Sequence, residues 1–142
     1  MNEFDVIQKL HYQKGYKYQI TRDISVQTKI KPSLFLSTSF ISLDTDGLLT
    51  CYRGYAWDGA TMCPDFDWII RGSMFHDAGY QLMRLEMVSQ QSKLLWDELL
   101  KDCCLEDGAW KWQAAIVEAA VNKFGGKGAS PNSRRQELVA PA

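Results

Sequence analysis

The sequence predicts an α+β fold: a small antiparallel sheet from the N-terminal half, packed on a three-helix C-terminal half that contains an antiparallel helix pair. Three observations carry this. Residues 16–57 alternate apolar and polar side chains, the period of a half-buried strand. Asp44-Thr45-Asp46-Gly47 separates two apolar runs, and Asp-Gly suits the positive φ angles of a hairpin turn. From Asp67 onward, apolar residues recur every three or four positions, the period of a helix with one buried face.

In chain order, residues 2–12 are expected to form a short helix. Strands are expected in Tyr16-Lys17-Tyr18-Gln19-Ile20 and in Ile24-Ser25-Val26-Gln27-Thr28-Lys29-Ile30. Phe40-Ile41-Ser42-Leu43 and Leu48-Leu49-Thr50-Cys51-Tyr52 then form the two arms of the hairpin. Asp65 or Asp67 can cap a helix that runs through Trp68 to about residue 86, with Pro64 just outside it. A second helix is expected over residues 89–104, with Leu95, Leu99 and Cys103 at four-residue spacing. The third starts near Asp107-Gly108 and shows Trp112, Ile116, Ala120 and Phe124 at the same spacing. Of Trp110 and Trp112, on different helix faces, one is expected to pack and the other to be exposed. Gly125-Gly126 supplies the left-handed residue that often follows a helix. Residues 1–126 therefore read as a single α+β domain, and residues 127–142, rich in Gly, Ser, Pro and charge, as a mobile C-terminal tail.

Composition narrows the function. A chain of 142 residues is the size of one domain, and 46% apolar with 23% charged residues excludes wholesale disorder. Sixteen basic and seventeen acidic residues give a net charge of −1, without the basic excess that a nucleic-acid partner needs. No apolar run approaches the roughly 18 residues of a transmembrane segment. Met1-Asn2-Glu3-Phe4-Asp5 lacks the basic start and apolar stretch of a signal peptide. Cys51, Cys63, Cys103 and Cys104 show no C-x-x-C spacing and read as reduced thiols of a cytosolic protein.

One polar cluster stands out: Phe75-His76-Asp77-Ala78-Gly79-Tyr80, inside the first long helix. Positions i and i+1 diverge by about 100° around a helix, so His76 and Asp77 point in adjoining directions, while His76 and Tyr80 share a face. Gly79 costs a helix about 1 kcal/mol relative to alanine, a sign that something approaches too closely for a side chain. If the chain turns tightly near residue 88, Asp97 on the second helix falls close to the level of His76. A carboxylate there fixes the imidazole tautomer and leaves the other ring nitrogen to accept a proton from water. Asp77 is then free to hold a hard cation, with Asp58 and backbone carbonyls of the glycine-bounded stretch Gly54-Tyr55-Ala56-Trp57-Asp58-Gly59-Ala60-Thr61 as further oxygens. Such a cation polarises an ester carbonyl.

These residues resemble a phage and prophage family of unknown function, through Gly-Tyr-x-x-Asp-x-Ala-Thr at 54–61, His-Asp-x-x-Tyr at 76–80 and an aspartate about twenty residues on. That family's helical core is in turn similar to the phospholipase A2 superfamily. The resemblance implies His76 as general base, Asp97 as the carboxylate that orients it, Tyr80 as the tyrosine of the same helix and Asp77 as a calcium ligand. It also implies a phospholipid or other ester as substrate, and the host cytoplasm or the virion as location. Secreted phospholipases carry a cysteine just before His-Asp; here Arg71-Gly72-Ser73-Met74 has none, and Trp57-Asp58-Gly59-Ala60 replaces their calcium loop. Trp57, Met62, Phe66 and Trp68 flank the cluster as a lipid-facing rim or as core.

A second reading of the cluster is a satisfied polar knot that pins two helices. The chain is then a non-catalytic virion component or a host-interaction protein. Zinc is disfavoured by the absence of H-E-x-x-H or paired cysteines, and Gly125-Gly126-Lys127-Gly128 follows a helix instead of a strand, unlike a phosphate loop.

Overall fold

The computed structural model describes residues 10–12, 16–60, 63–124 and 138–140. The strands are β1 (Leu10–Tyr12), β2 (Tyr18–Gln19), β3 (Ile24–Gln27), β4 (Leu36–Ser37), β5 (Ile41–Leu43), β6 (Leu48–Cys51), β7 (Ala56–Trp57) and β8 (Leu138–Ala140). The helices are α1 (Asp67–Arg84), α2 (Lys93–Glu106) and α3 (Lys111–Phe124), so the α+β expectation holds.

The main sheet is antiparallel in the order β3-β6-β5-β4. Its hairpin pairs Ile41 with Cys51 and Leu43 with Leu49. Asp44 closes the turn, its Oδ1 accepting from the amides of Asp46 and Leu48 at 2.9 Å each. Gly47 has φ +92°, and a Cβ there would lie 2.6 Å from the Thr28 carbonyl, so two independent constraints demand glycine. The strand expected to reach Ile30 stops at Gln27, because Thr28 turns its amide and hydroxyl onto the Gly47 carbonyl. Residues 16–20 contribute only the short β2, paired with β7. Ile41, Leu43, Leu49 and Cys51 are fully buried and meet Met74, Phe75, Ala78 and Leu82 of α1 in one core.

Two expectations for the termini change. β1 and β8 pair antiparallel, so residues 10–12 are strand and not the end of a helix, and residues 138–140 of the C-terminal stretch are strand. Leu10-His11-Tyr12 and Leu138-Val139-Ala140 satisfy each other's backbone groups across the ladder. The rest of the helix expected over 2–12, the helix stop at Gly125-Gly126 and most of the tail lie outside the described residues.

The helix boundaries also shift. Phe66 is the N-cap of α1 and no side chain caps it, so neither Asp65 nor Asp67 plays that part. Asp65 instead accepts from Tyr18 Oη at 2.8 Å and the Ala60 amide at 3.0 Å. Asp107-Gly108 ends α2 rather than starting α3. Gly108, at φ +106°, sits in the left-handed position, and the Ala109 amide bonds back to the Cys104 carbonyl. α3 begins three residues later, where Gln113 Oε1 accepts from the Trp110 amide.

α1 and α2 are antiparallel, since His76 meets Asp97, Gly79 meets Trp96 and Gly72 meets Leu100. Arg71 near the start of α1 bonds Glu106 and Asp107 at the end of α2, as that direction requires. The close approach foreseen at Gly79 is the Trp96 indole: a Cβ on Gly79 would lie 2.3 Å from the ring. The chain reverses through Glu86, which takes φ +59° while the Met87 amide bonds the Leu82 carbonyl, the same device that Gly108 serves in α2. α3 packs through Ala114, Val117 and Val121. The stripe expected to be buried, Trp112 and Ile116, faces out instead, and Trp110 and Trp112 are both exposed, at 68% and 57%. No helix among the described residues is long and apolar enough to cross a membrane.

Two substitutions test this packing. Gly79→Ala gains helix propensity but drives a methyl into a fully buried indole, so we expect a net loss of about 1–3 kcal/mol in chemical denaturation. Glu86→Gly removes a left-handed non-glycine residue and should stabilise by about 1 kcal/mol. A thermal unfolding midpoint unchanged or lowered by Glu86→Gly would contradict the capping geometry.

Candidate functional site

α1 carries His76 and Tyr80 one turn apart on the face that meets α2, their rings tilted with centroids 4.1 Å apart. α2 presents Asp97 to both. Asp97 Oδ1 is 2.7 Å from His76 Nε2 and accepts the Tyr80 hydroxyl at 2.6 Å. Asp97 Oδ2 accepts from Lys93 Nζ at 2.8 Å. The Asp97 side chain is 0% exposed and that of His76 13%. Sequence reasoning thus placed His76, Tyr80 and Asp97 together correctly. It missed Lys93, although its i, i+4 spacing to Asp97 is the signal that could have found it.

The electrostatics follow from these contacts. Burial by itself pushes the Asp97 carboxyl up, but the bonds from His76, Lys93 and Tyr80 outweigh it and hold the group below its ordinary value. Burial and the bond to Asp97 push the Tyr80 phenol well above its usual range, so it stays a donor. A carboxylate can only accept, hence Nε2 of His76 carries a proton, and in the neutral ring Nδ1 holds the lone pair. Among the described residues Nδ1 takes no hydrogen bond, and no buried side-chain nitrogen or oxygen lacks a partner. Chemically, this is an oriented imidazole able to accept a proton at Nδ1, backed by a buried anion.

Asp77, next in sequence, points toward the sheet. Its Oδ2 accepts the Tyr55 hydroxyl at 2.9 Å. Trp57 Nε1 donates to Ser73 Oγ at 3.1 Å, so the stretch from Tyr55 runs along α1 toward its N-terminus, as the sequence suggested. Asp58 lies beyond Trp57 along that path, is exposed, and accepts the Lys17 amide at 3.1 Å. Tyr55 was the unrecognised member: its phenol is held well above the usual range by burial and by Asp77. Trp57 is core and Phe66 stacks on Trp68 at 5.1 Å, while Met62 lies outside the described residues.

Calcium takes about six to eight oxygen ligands. Among the described residues no group of three or more His, Cys, Asp or Glu is placed to hold a metal ion, and Asp77 and Asp58 serve separate hydrogen-bond partners. A groove of about 510 Å³, lined by Ile20, Ile24, Trp57, Ile70 and Met74, lies on another side of α1 and includes neither His76 nor Asp97. The four cysteines are free; burial raises Cys51 and Cys104 to about 12 and Cys103 to about 11, so these thiols are poor nucleophiles. Compared with known proteins, the chain matches no family model, no curated protein and no solved structure.

Because the Asp97 pKa is lowered on folding, its contribution to stability is present above the unfolded value near 4 and is lost as pH falls through the lower, folded value. Asp97→Asn leaves Lys93 and His76 without their anion, and should cost about 3–5 kcal/mol at neutral pH. Denaturant titrations from pH 7 down to pH 2.5 should show the gap between wild type and Asp97→Asn closing below pH 4. A gap independent of pH would mean that Asp97 is not ionised in the fold.

Proposed function

We propose that this chain is a phage-encoded accessory protein whose phospholipase A2-like His/Asp site hydrolyses an ester. The observation that carries the reading is the 2.7 Å bond from His76 Nε2 to a fully buried Asp97, with Tyr80 on the same oxygen. These are the three residues that the resemblance marks. His76 Nδ1 takes a proton from water as the water oxygen attacks the ester carbonyl. Asp97 compensates the imidazolium that forms, and Tyr80 holds the carboxylate in place. Collapse of the tetrahedral intermediate breaks the bond to the leaving oxygen, and Nδ1 returns its proton there, so ester and water give acid and alcohol. Phospholipid is the first substrate to try, and the host cytoplasm or the virion the setting. Calcium on Asp77 belongs to the resemblance and is tested beside it.

The second reading is a non-catalytic virion or host-interaction protein that keeps the helix pair as scaffold. It is favoured by the full satisfaction of Asp97 and by the Trp96 indole seated on Gly79, both of which pin α1 to α2 without chemistry.

The experiment is release of fatty acid from phospholipid vesicles and turnover of a soluble ester, each with calcium and with chelator. His76→Gln should lower the rate by about 10²–10⁴-fold while circular dichroism and the unfolding midpoint stay near wild type. Wild type and His76→Gln behaving alike in every arm would sink the hydrolase and leave the scaffold. Calorimetric titration of calcium into wild type and Asp77→Asn decides the ion: heat lost in the variant supports it, and no heat in either removes it.

A further inference from the structure

Lys93 is the feature of this site that the hydrolase reading does not use. Its ammonium has three protons and three acceptors: Asp97 Oδ2 at 2.8 Å, the Val121 carbonyl at 3.0 Å and the Asn122 carbonyl at 3.2 Å. The last two belong to the final turn of α3, whose carbonyls have no partner within the helix. Nζ also stands 5.9 Å from the Tyr80 ring centroid. One cation thus faces the dyad carboxylate, the negative end of a helix dipole and the face of the tyrosine that shares that carboxylate.

We infer that Lys93 is a positioning residue for His76, and that it makes the geometry of the dyad conditional on the docking of the last turn of α3. The inference rests on the hydrolase reading for its catalytic part, and on distances alone for its structural part. His76 and Tyr80 both bond Oδ1, so the other carboxylate oxygen, Oδ2, needs a donor of its own. Only Lys93 bonds Oδ2 among the described residues. Without it, a buried carboxylate oxygen has no donor, and the group turns or neutralises to find one. Either change moves Oδ1 or its charge, and with it the imidazole. The same ammonium also ties α3 to α2, because α3 presents carbonyls, not side chains, to Lys93. A perturbation of Asp97 therefore reaches α3, although among the described residues no hydrogen bond joins Asp97 to α3 directly.

The test uses the full chain as wild type, Lys93→Met, Lys93→Arg and Asp97→Asn. Native-state amide exchange over residues 121–124 reads the structural part, and requires no catalytic activity. Exchange there should quicken in Lys93→Met and also in Asp97→Asn, and return toward wild type in Lys93→Arg, which keeps a cation of similar reach. Unchanged exchange in Asp97→Asn, or no rescue by Lys93→Arg, overturns the coupling. Ester turnover reads the positioning part: Lys93→Met should lose on the order of 10²-fold in kcat with KM near wild type, and Lys93→Arg should recover most of it. A wild-type kcat in Lys93→Met overturns the positioning role. Absence of turnover in wild type overturns the hydrolase and the positioning role together, while the exchange data still decide the link to α3.

Discussion

A carboxylate buried out of reach of water has to be fully bonded, and this requirement at Asp97 organises the C-terminal half of the molecule. Its three donors come from two helices, and the cation among them also closes the end of the third. Each donor fixes something else: His76 the level of α1 against α2, Tyr80 the rotation of α1, Lys93 the position of the last turn of α3. Helix pairs that are only greasy can slide or rotate at small cost. A pair that carries a buried anion cannot, because any slip leaves the charge unpaired.

The apolar packing brings the helices close enough for these bonds. Gly79 has no side chain where Trp96 lies, and Gly72 is bare beside Leu100 and Cys103, so α1 and α2 meet along a seam of bare backbone and bulky side chains. The sheet closes α1 from its other side. There Tyr55 and Trp57 reach Asp77 and Ser73 with their polar tips and bury their rings. His76 and Asp77, adjacent in sequence, are divided by the helix between these two environments, one facing α2 and one facing the sheet.

Much of this was legible in the sequence where one local rule dominates. Asp44 to Gly47 announced the hairpin because the turn needs a positive φ and the side chain of Asp44 satisfies the turn's amides. The His76–Asp97 pair was legible because the chain has only two histidines and helix geometry sets Asp97 near the level of His76. The buried face of α3 was not. Lys111 to Phe124 carries apolar residues around most of the helix, so period alone cannot choose Val117 and Val121 over Trp112 and Ile116. Packing on α2 made that choice. Nor could the sequence assign Asp107-Gly108 to the end of one helix rather than the start of the next, since Asp suits a start and Gly an end. Lys93 was missed because lysine on a helix usually means a solvated face, and only the buried partner makes it structural.

The central claim is that ionised Asp97 holds the His76 ring with its proton on Nε2 and its lone pair on Nδ1. Two-bond nitrogen–proton correlation spectra of the histidine rings read this directly, with His76 distinguished from His11 by the His76→Gln variant. Recorded on the alkaline plateau, where tautomer and not charge is observed, His76 should show one tautomer, protonated at Nε2. A ring protonated at Nδ1, or a mixture like that of free imidazole, would contradict the account.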